Sequence, residues 1–323
     1  MVLEKKMNLM EKKVVLLDGG TGMALVQMGH SFINDDPLWS AIVVASHPED
    51  LIKLHTDYFK AGADVVLSAT YQASIEGYQK RLNISRQEAV DLLKKGIDLV
   101  KVARDAVQNM TGYRGAVAAS VGPYGATLCD RSEYHGRYAD SMTKEDLCKW
   151  HLPRLQALID AEPDFLMVET IPVVKEAEAI LDCLKQFPNM KACVTFQCKD
   201  DQMTAHGELI TDAVSAVVQS SAVLGVGVNC VHPDYVLPLV QKISTLKLNI
   251  PIIVKPNGGL FKHDGRSKSK DNISDYAEEW LEAGARWIGG CCHIYPSDIA
   301  LLKKTIETTF NSQEILTDPL NRI

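Results

Sequence analysis

The chain has 323 residues and a formal net charge of −7 at pH 7, which argues against a nucleic-acid partner. Apolar residues make up 46% of it, so it can bury a large core. No apolar run approaches the roughly 18 residues of a membrane span, and the polar N-terminus shows no secretory signal. Eight cysteines are too sparse for a disulfide scaffold. We therefore expect a cytoplasmic protein with reduced thiols.

Short apolar runs alternate with helical patterns along the chain. Eight runs are predicted as buried strands, beginning near residues 14, 65, 116, 165, 192, 225, 252 and 286. Capping-box spacing at Ser46–Glu49 and Ser85–Glu88 predicts helix starts between strands. Apolar strands that alternate with helices favour a parallel sheet. Eight such units predict a closed (β/α)8 TIM barrel, with a doubly wound open sheet as the alternative.

No composition shift divides the chain, so we predict a single domain. The barrel is expected to span residues 14–310, between an N-terminal tail of residues 1–13 and a C-terminal tail of residues 311–323. Residues 262–271 are polar and charged, and are predicted to form a mobile loop after the seventh strand.

Three cysteines follow two of the predicted strands. Cys230 ends the sixth strand, and Cys291 and Cys292 follow Gly289 and Gly290 after the eighth. Strand ends share one mouth in a barrel, so the three sulfurs can converge. Neighbours in a strand point to opposite faces, and we expect the two glycines to bend the chain there. Three thiolates with an open fourth position are typical of a zinc site that binds a substrate; buried inert cysteines are the alternative.

The remaining cysteines lack this convergence. Cys183 falls in a predicted helix and Cys193 in a predicted core strand. We do not expect any of this second group to be a metal ligand; its members are Cys129, Cys148, Cys183, Cys193 and Cys198.

Polar residues also follow other strands. Asp18 ends the first strand, where it is either a ligand for a cationic group or a turn cap. The glycine-rich turn Gly19–Gly22 that follows can present N–H groups to an anion. Glu169 ends the fourth strand.

Three thiolates donate much charge to a metal and reduce its Lewis acidity, which disfavours water activation. A substrate thiol that joins such a metal loses its proton near neutral pH. The thiol set therefore favours alkylation of a thiol over hydrolysis, and no general base for a zinc hydrolase accompanies it.

Seven motifs, in order, closely resemble the homocysteine S-methyltransferase family, which includes S-methylmethionine-dependent enzymes and betaine–homocysteine methyltransferase. The resemblance spans about residues 14–302. Its motifs lie at residues 17–20, 38–41, 70–74, 120–126, 169–172, 227–230 and 289–292. It implies a (β/α)8 barrel with zinc held by Cys230, Cys291 and Cys292.

The resemblance further implies that Asp18 and Glu169 hold the ammonium group of homocysteine. The glycine turn is expected to donate N–H groups to the substrate carboxylate. Trp39 and Tyr71 are expected to line the donor site, because aromatic faces suit a cation. The residues assigned to substrate binding are Asp18, Gly19, Gly20, Trp39, Thr70, Tyr71, Glu169 and Asn229.

The implied activity is zinc-dependent transfer of a methyl group from S-methylmethionine or S-adenosylmethionine to the homocysteine thiolate, which gives methionine. Alternatives are betaine as donor, selenocysteine as acceptor, or a non-catalytic zinc- or thiol-binding barrel. Three positions depart from the family pattern: Leu25 replaces a frequent glutamate, His293 an arginine, and Lys255 a tyrosine. They leave the donor open. The betaine enzyme's C-terminal extension is absent, so we expect a monomer with small-molecule partners only.

Overall fold

The computed structural model describes residues 9–259 and 270–317, and within them eight parallel strands alternate with helices. Each strand is short and almost wholly buried. The strands are β1 (Val15–Leu16), β2 (Val65–Leu67), β3 (Ala116–Val121), β4 (Phe165–Ile171), β5 (Ala192–Phe196), β6 (Val223–Asn229), β7 (Ile252–Lys255) and β8 (Ala285–Ile288). All eight predicted strands are therefore confirmed.

The helices surround these strands. They are α1 (Thr21–Gln27), α2 (Val43–Ser46), α3 (Pro48–Ala61), α4 (Ile75–Leu82), α5 (Arg86–Thr111), α6 (Lys144–Asp160), α7 (Val174–Leu184), α8 (Ile210–Val217), α9 (Pro233–Ser244), α10 (Ala277–Ala283) and α11 (Pro296–Thr317). The predicted capping box at Ser85 and Glu88 is present and starts α5. At Ser46 the expectation is wrong: Ser46 ends α2, and Pro48 begins α3 without a side-chain cap.

The sheet closes on itself. Its strand order is β1-β8-β7-β6-β5-β4-β3-β2, and all named pairs are parallel. The two ends of that order meet through a parallel bridge between Leu17 and Val65. The Asp18 N–H donates to the Val65 carbonyl at 3.1 Å. The chain is therefore a (β/α)8 barrel, and the doubly wound alternative is excluded.

Alternation along the strands divides the core into two parts. Val15 of β1 and Leu17, which directly follows β1, belong to a small cluster that also holds Phe165, Met167 and Trp287. Leu16, between them, packs in the larger cluster formed with the helices. The barrel interior is thus filled by side chains, which leaves the strand ends as the place for a site.

The predicted domain limits need adjustment at both ends. Leu9, assigned to the N-terminal tail, packs in the inner cluster with Val15. At the other end, α11 continues to Thr317, past the predicted limit at residue 310. Residues 262–269 of the predicted mobile loop lie outside the described residues. No helix within the described ranges combines the length and apolarity needed to cross a bilayer.

The expectation that the cysteines are reduced thiols is wrong for two of them. Cys148 of α6 and Cys183 of α7 form a disulfide, with Cα atoms 6.0 Å apart. That separation suits a disulfide, and the packing of α6 against α7 brings the two residues together although 35 positions separate them. Cys193 is fully buried within the barrel, as predicted.

Candidate metal and substrate site

Three thiols converge at the mouth of the barrel. The Sγ atoms of Cys230, Cys291 and Cys292 all lie within 4.8 Å of one another. Cys230 Sγ is 3.9 Å from Cys292 Sγ, and Cys292 Sγ is 4.0 Å from Cys291 Sγ. Sulfurs about 2.3 Å from one tetrahedral ion are about 3.8 Å apart. The three thiols therefore fit a single metal ion.

Two tight backbone turns aim these thiols. Cys230 follows β6 with a φ of 55°, a conformation uncommon for residues other than glycine. Beyond β8 the chain turns between Cys291 and Ile294, with the Ile294 N–H donating to the Cys291 carbonyl at 3.1 Å. His293 takes the positive φ in this turn, 61°. The turn thus brings both neighbouring sulfurs to one side.

Gly289 and Gly290 have a different role from the one expected. Neither takes a positive φ. A Cβ on Gly289 would lie 2.6 Å from Leu17 Cβ, and one on Gly290 would lie 2.3 Å from an Ile294 methyl carbon. These positions are glycine because β1 and the following turn pack against the backbone, and not because the chain bends there.

The thiols open into a cavity of about 520 Å³. Five of the eight residues assigned to substrate binding from the sequence lie at its wall or rim, and four further residues join them there. The five are Gly19, Gly20, Trp39, Tyr71 and Glu169, and the further residues are Lys255, Gln197, Glu133 and Tyr134. Asp18, Thr70 and Asn229 do not line it.

Lys255 lies between the cavity and Asp18. Its Nζ is 2.6 Å from Asp18 Oδ1, and the Leu67 N–H donates to Asp18 Oδ2 at 2.7 Å. Burial alone would lower the pKa of Lys255, but the carboxylates of Asp18 and Glu169 outweigh it and raise that pKa. Burial raises the pKa of Asp18, and the Lys255 ammonium opposes that rise. The Lys255 ammonium is therefore charged at neutral pH.

Glu169 is held by its neighbours while it faces the cavity. Ser120 Oγ donates to Glu169 Oε1, and Asn229 Nδ2 lies 3.4 Å from Oε2. Asn229 Oδ1 accepts from the Thr170 N–H at 2.6 Å and from Thr195 Oγ1 at 2.8 Å. Asn229 therefore orients the ends of β4 and β6 from behind the cavity wall.

Arg154 of α6 positions the loop that carries Tyr71. Its Nη2 donates to the carbonyls of Thr70 and Tyr71 at 2.9 and 2.6 Å, and its Nη1 donates to the Gly122 carbonyl at 2.9 Å. A Cβ on Gly122 would lie 2.5 Å from the Tyr71 carbonyl oxygen. Tyr71 is thus fixed at the wall by a buried guanidinium and a close backbone approach.

Two of the residues predicted to bind substrate already use polar groups within the fold. The Gly20 N–H donates to the Ile294 carbonyl at 2.8 Å, so it is not available to a substrate carboxylate. Thr70 is buried, and its Oγ1 donates to the Ser120 carbonyl at 2.8 Å. Its contacts are structural.

The positions that depart from the family pattern lie in different parts of the structure. Leu25 is fully buried in the core, whereas His293 lines the cavity with Lys255.

Sequence reasoning missed two residues that come from 3-10 turns after β3. Tyr134 places its hydroxyl 3.4 Å from Cys230 Sγ. Glu133 lines the same wall, and burial raises its pKa to about 6. The pair Glu133-Tyr134 carries an acid and an aromatic ring with no strand directly before it, so its sequence position gave no signal.

Without an ion the cluster holds protons. The pKa of Cys291 is raised by its contact with Cys230 and by burial. A metal that takes the three sulfurs must displace those protons, so its binding is expected to release them to solvent.

Known proteins resemble the chain over nearly its full length. The sequence profile of a family described as homocysteine S-methyltransferase matches residues 15–306. The chain is 34% identical over 325 residues to the betaine-homocysteine S-methyltransferase of Drosophila melanogaster, covering 95% of this chain and 98% of that protein. It is 35% identical over 303 residues to the homocysteine S-methyltransferase of Escherichia coli strain K12, covering 91% and 95%.

A solved structure extends the similarity to three dimensions. The metallated form of the homocysteine methyltransferase MmuM from Escherichia coli matches with a TM-score of 0.82 at 34% identity. The match covers 91% of this chain and 96% of that one. The similarity therefore includes the whole barrel.

Proposed function

Because the chain belongs to the homocysteine S-methyltransferase family, we propose that it moves a methyl group from a sulfonium donor to homocysteine and forms methionine. Methyl transfer is the activity of this enzyme family. The observation that carries the finer proposal is the cluster of three thiols beside Glu169 in one cavity. S-methylmethionine and S-adenosylmethionine are the proposed donors.

We propose zinc as the metal, held by Cys230, Cys291 and Cys292. The sulfur separations of 3.9 and 4.0 Å support a tetrahedral ion of that size. When bound, zinc supplies a positive charge that keeps the thiol of the acceptor deprotonated near neutral pH. Tyr134, whose hydroxyl contacts Cys230 Sγ, helps to orient that ligand.

Glu169 is proposed to hold the ammonium group of homocysteine. It is buried, faces the cavity and retains acceptor capacity beside its bond from Ser120. Asp18 contributes to the same charge balance through Lys255, because its own oxygens are already bonded. Two carboxylates and one ammonium leave a formal charge of −1, which one substrate ammonium neutralises.

The aromatic part of the cavity wall suits a cationic methyl donor. Trp39, Tyr71 and Tyr134 line it, and aromatic faces attract cations. The carboxylate of Glu133 adds a negative charge there. A sulfonium leaves as a neutral thioether, so the wall needs no acid to protonate the leaving group. Methyl-folate would need one.

Betaine is a second candidate donor. It is cationic like a sulfonium, and the Drosophila melanogaster relative carries the name betaine-homocysteine S-methyltransferase. The aromatic and acidic wall accepts either cation, so charge does not distinguish them.

A cytoplasmic location and a monomeric state stay predictions.

A donor panel tests the proposal. Purified, zinc-loaded protein is incubated with homocysteine and one donor at a time, namely S-methylmethionine, S-adenosylmethionine, betaine or methyl-folate, and methionine is measured by mass spectrometry. We expect turnover with a sulfonium donor. Turnover with betaine or methyl-folate alone would contradict the sulfonium assignment, and no turnover with any donor would contradict the activity itself.

A further inference from the structure

We propose that Lys255 binds the carboxylate group of the homocysteine acceptor. This inference rests on the proposed function, and it names a specificity-determining residue within it. It adds a charged side chain to the backbone N–H groups of the glycine turn, which the sequence predicts as the partner of that carboxylate.

The first support is the position of Lys255. Its ammonium lies at the cavity wall, with Asp18 behind it and out of reach of the cavity. The side chain is 2% exposed, so it is directed inward and held in place. A ligand in the cavity therefore meets the lysine before it meets Asp18.

The second support is unused hydrogen-bonding capacity. An ammonium has three donors. Asp18 Oδ1 is the one acceptor that hydrogen-bonds to Lys255 Nζ within residues 9–259 and 270–317. Two donors remain for a group in the cavity, and a carboxylate is the acceptor that pairs best with an ammonium.

The third support concerns the alternative anchor, the backbone N–H groups of the glycine turn, one of which is already used. The Gly20 N–H is already donated to the Ile294 carbonyl. The helix that follows, α1, has seven residues and presents little dipole. A positive side chain at the wall is therefore the stronger partner for a carboxylate.

The fourth support is the arrangement of acceptors beside the lysine. Glu169 lines the cavity, and Gln197 Oε1 is buried there without a hydrogen-bond partner in the described part of the chain. Gln197 Nε2 donates to the Cys198 carbonyl at 3.1 Å. The amide oxygen, and not the amide nitrogen, is therefore the atom without a partner. Glu169 and Gln197 suit an ammonium, and Lys255 suits a carboxylate. Together they match the two ends of an amino acid whose thiol reaches the cysteines.

The test removes one charge from the enzyme and one from the acceptor. The variant is Lys255→Met, and the acceptors are homocysteine and 3-aminopropane-1-thiol, which lacks only the carboxylate. We expect the variant to lose at least about tenfold in kcat/KM for homocysteine, about 1.4 kcal/mol. Activity with 3-aminopropane-1-thiol should change by less than about threefold.

A binding measurement makes the test independent of turnover and of metal. Methionine and 3-(methylthio)propylamine are titrated into wild type and Lys255→Met by calorimetry. Methionine should bind the variant at least about tenfold more weakly, while the amine binds both proteins alike. If wild type binds methionine but forms none from homocysteine, the proposed activity fails and the assignment of Lys255 stands.

Two results would overturn the inference. An equal loss for both ligands would mean that Lys255 only neutralises Asp18. Tighter homocysteine binding by the variant would mean that the lysine competes with the substrate ammonium. Because Lys255→Met leaves Asp18 buried and unpaired, Asp18→Asn/Lys255→Met is measured beside Asp18→Asn, and the same selective loss is expected between them. Lys53→Met, at an exposed site on α3, is the control for a lost surface charge.

Discussion

Asn229 Nδ2 lies 3.4 Å from Glu169 Oε2, and Asn229 directly precedes Cys230. One buried amide thus joins the carboxylate proposed for the substrate ammonium to the strand end that carries one of the three clustered thiols. Its Oδ1 accepts from the Thr170 N–H and from Thr195 Oγ1. Substitution of Asn229 is therefore expected to disturb both the position of Glu169 and the strand end that carries Cys230.

Asn229→Ala should lower stability and raise the KM for homocysteine. It leaves the Thr170 N–H and the Thr195 hydroxyl without their buried acceptor, at about 1–3 kcal/mol for each group. Urea unfolding and steady-state kinetics measure the two effects. Asn109→Ala, at an exposed position of α5, is the control. An unchanged KM in a destabilised Asn229→Ala protein would show that the amide supports the fold alone.

Cys291→Ser should lose most of the bound metal and most of the activity while the barrel stays folded. The thiol lies in a turn after β8 and outside both core clusters, so its loss removes a ligand and little packing. Metal content by mass spectrometry and circular dichroism provide the two measurements. Cys129→Ser, at an exposed free thiol, is the control. Full zinc occupancy in Cys291→Ser would contradict the ligand assignment.

The fold and the convergence of the three thiols could both be predicted from the sequence, because both depend on local patterns. Eight apolar runs marked the strands, and the ends of parallel strands must meet at one mouth. Cys230 and Cys291 could therefore be brought together from their positions after strands, although they are 61 positions apart in the chain.

Pairings between distant side chains could not be predicted in the same way. Lys255 and Asp18 are 237 positions apart, and no sequence pattern near either residue indicates its partner. The disulfide between Cys148 and Cys183 depends on how α6 packs on α7, which periodicity does not fix. Gly289 and Gly290 looked like a hinge because sequence shows the absence of a Cβ but not the neighbour that requires it.

Donor binding should strengthen as pH rises through about 6. Burial raises the pKa of Glu133 to about 6, with a further upward contribution from Asp130 and a downward one from Arg131. Above that pH the carboxylate is charged and attracts a cation. The fraction charged rises about tenfold between pH 5 and 7, and the apparent affinity follows it.

Calorimetry of S-methylmethionine binding to metal-free protein measures this dependence without interference from the thiols' metal. Glu133→Gln should bind more weakly at pH 7 and lose the pH dependence. Glu145→Gln, in the first turn of α6, is the control for a lost carboxylate. A Glu133→Gln protein with the wild-type pH profile would remove this residue from the donor site.

His55 should make the protein less stable in mild acid. The side chain is fully buried in α3, both ring nitrogens lack a partner in the described part of the chain, and burial lowers its pKa to about 3. The unfolded chain takes up a proton near pH 6.5 and the folded one does not. This contribution to stability is thus complete above pH 6.5 and falls by about 1.4 kcal/mol per pH unit between pH 6.5 and the folded-state pKa of about 3.

His55→Leu removes that contribution, so its free energy of unfolding should change less than that of wild type between pH 7.5 and 5.5. The expected difference is about 1.4 kcal/mol, measured by urea unfolding at each pH. His47→Leu, at an exposed position, should behave like wild type. Parallel pH profiles for wild type and His55→Leu would show that His55 is charged when folded.

The central claim is that the three thiols hold a zinc ion that takes the thiol of homocysteine as its fourth sulfur. Zinc-edge X-ray absorption of the metal-loaded protein, with and without homocysteine, measures the number of sulfur ligands at about 2.3 Å. We predict three sulfurs without homocysteine and four with it. A count that stays at three while the same sample forms methionine would contradict the account.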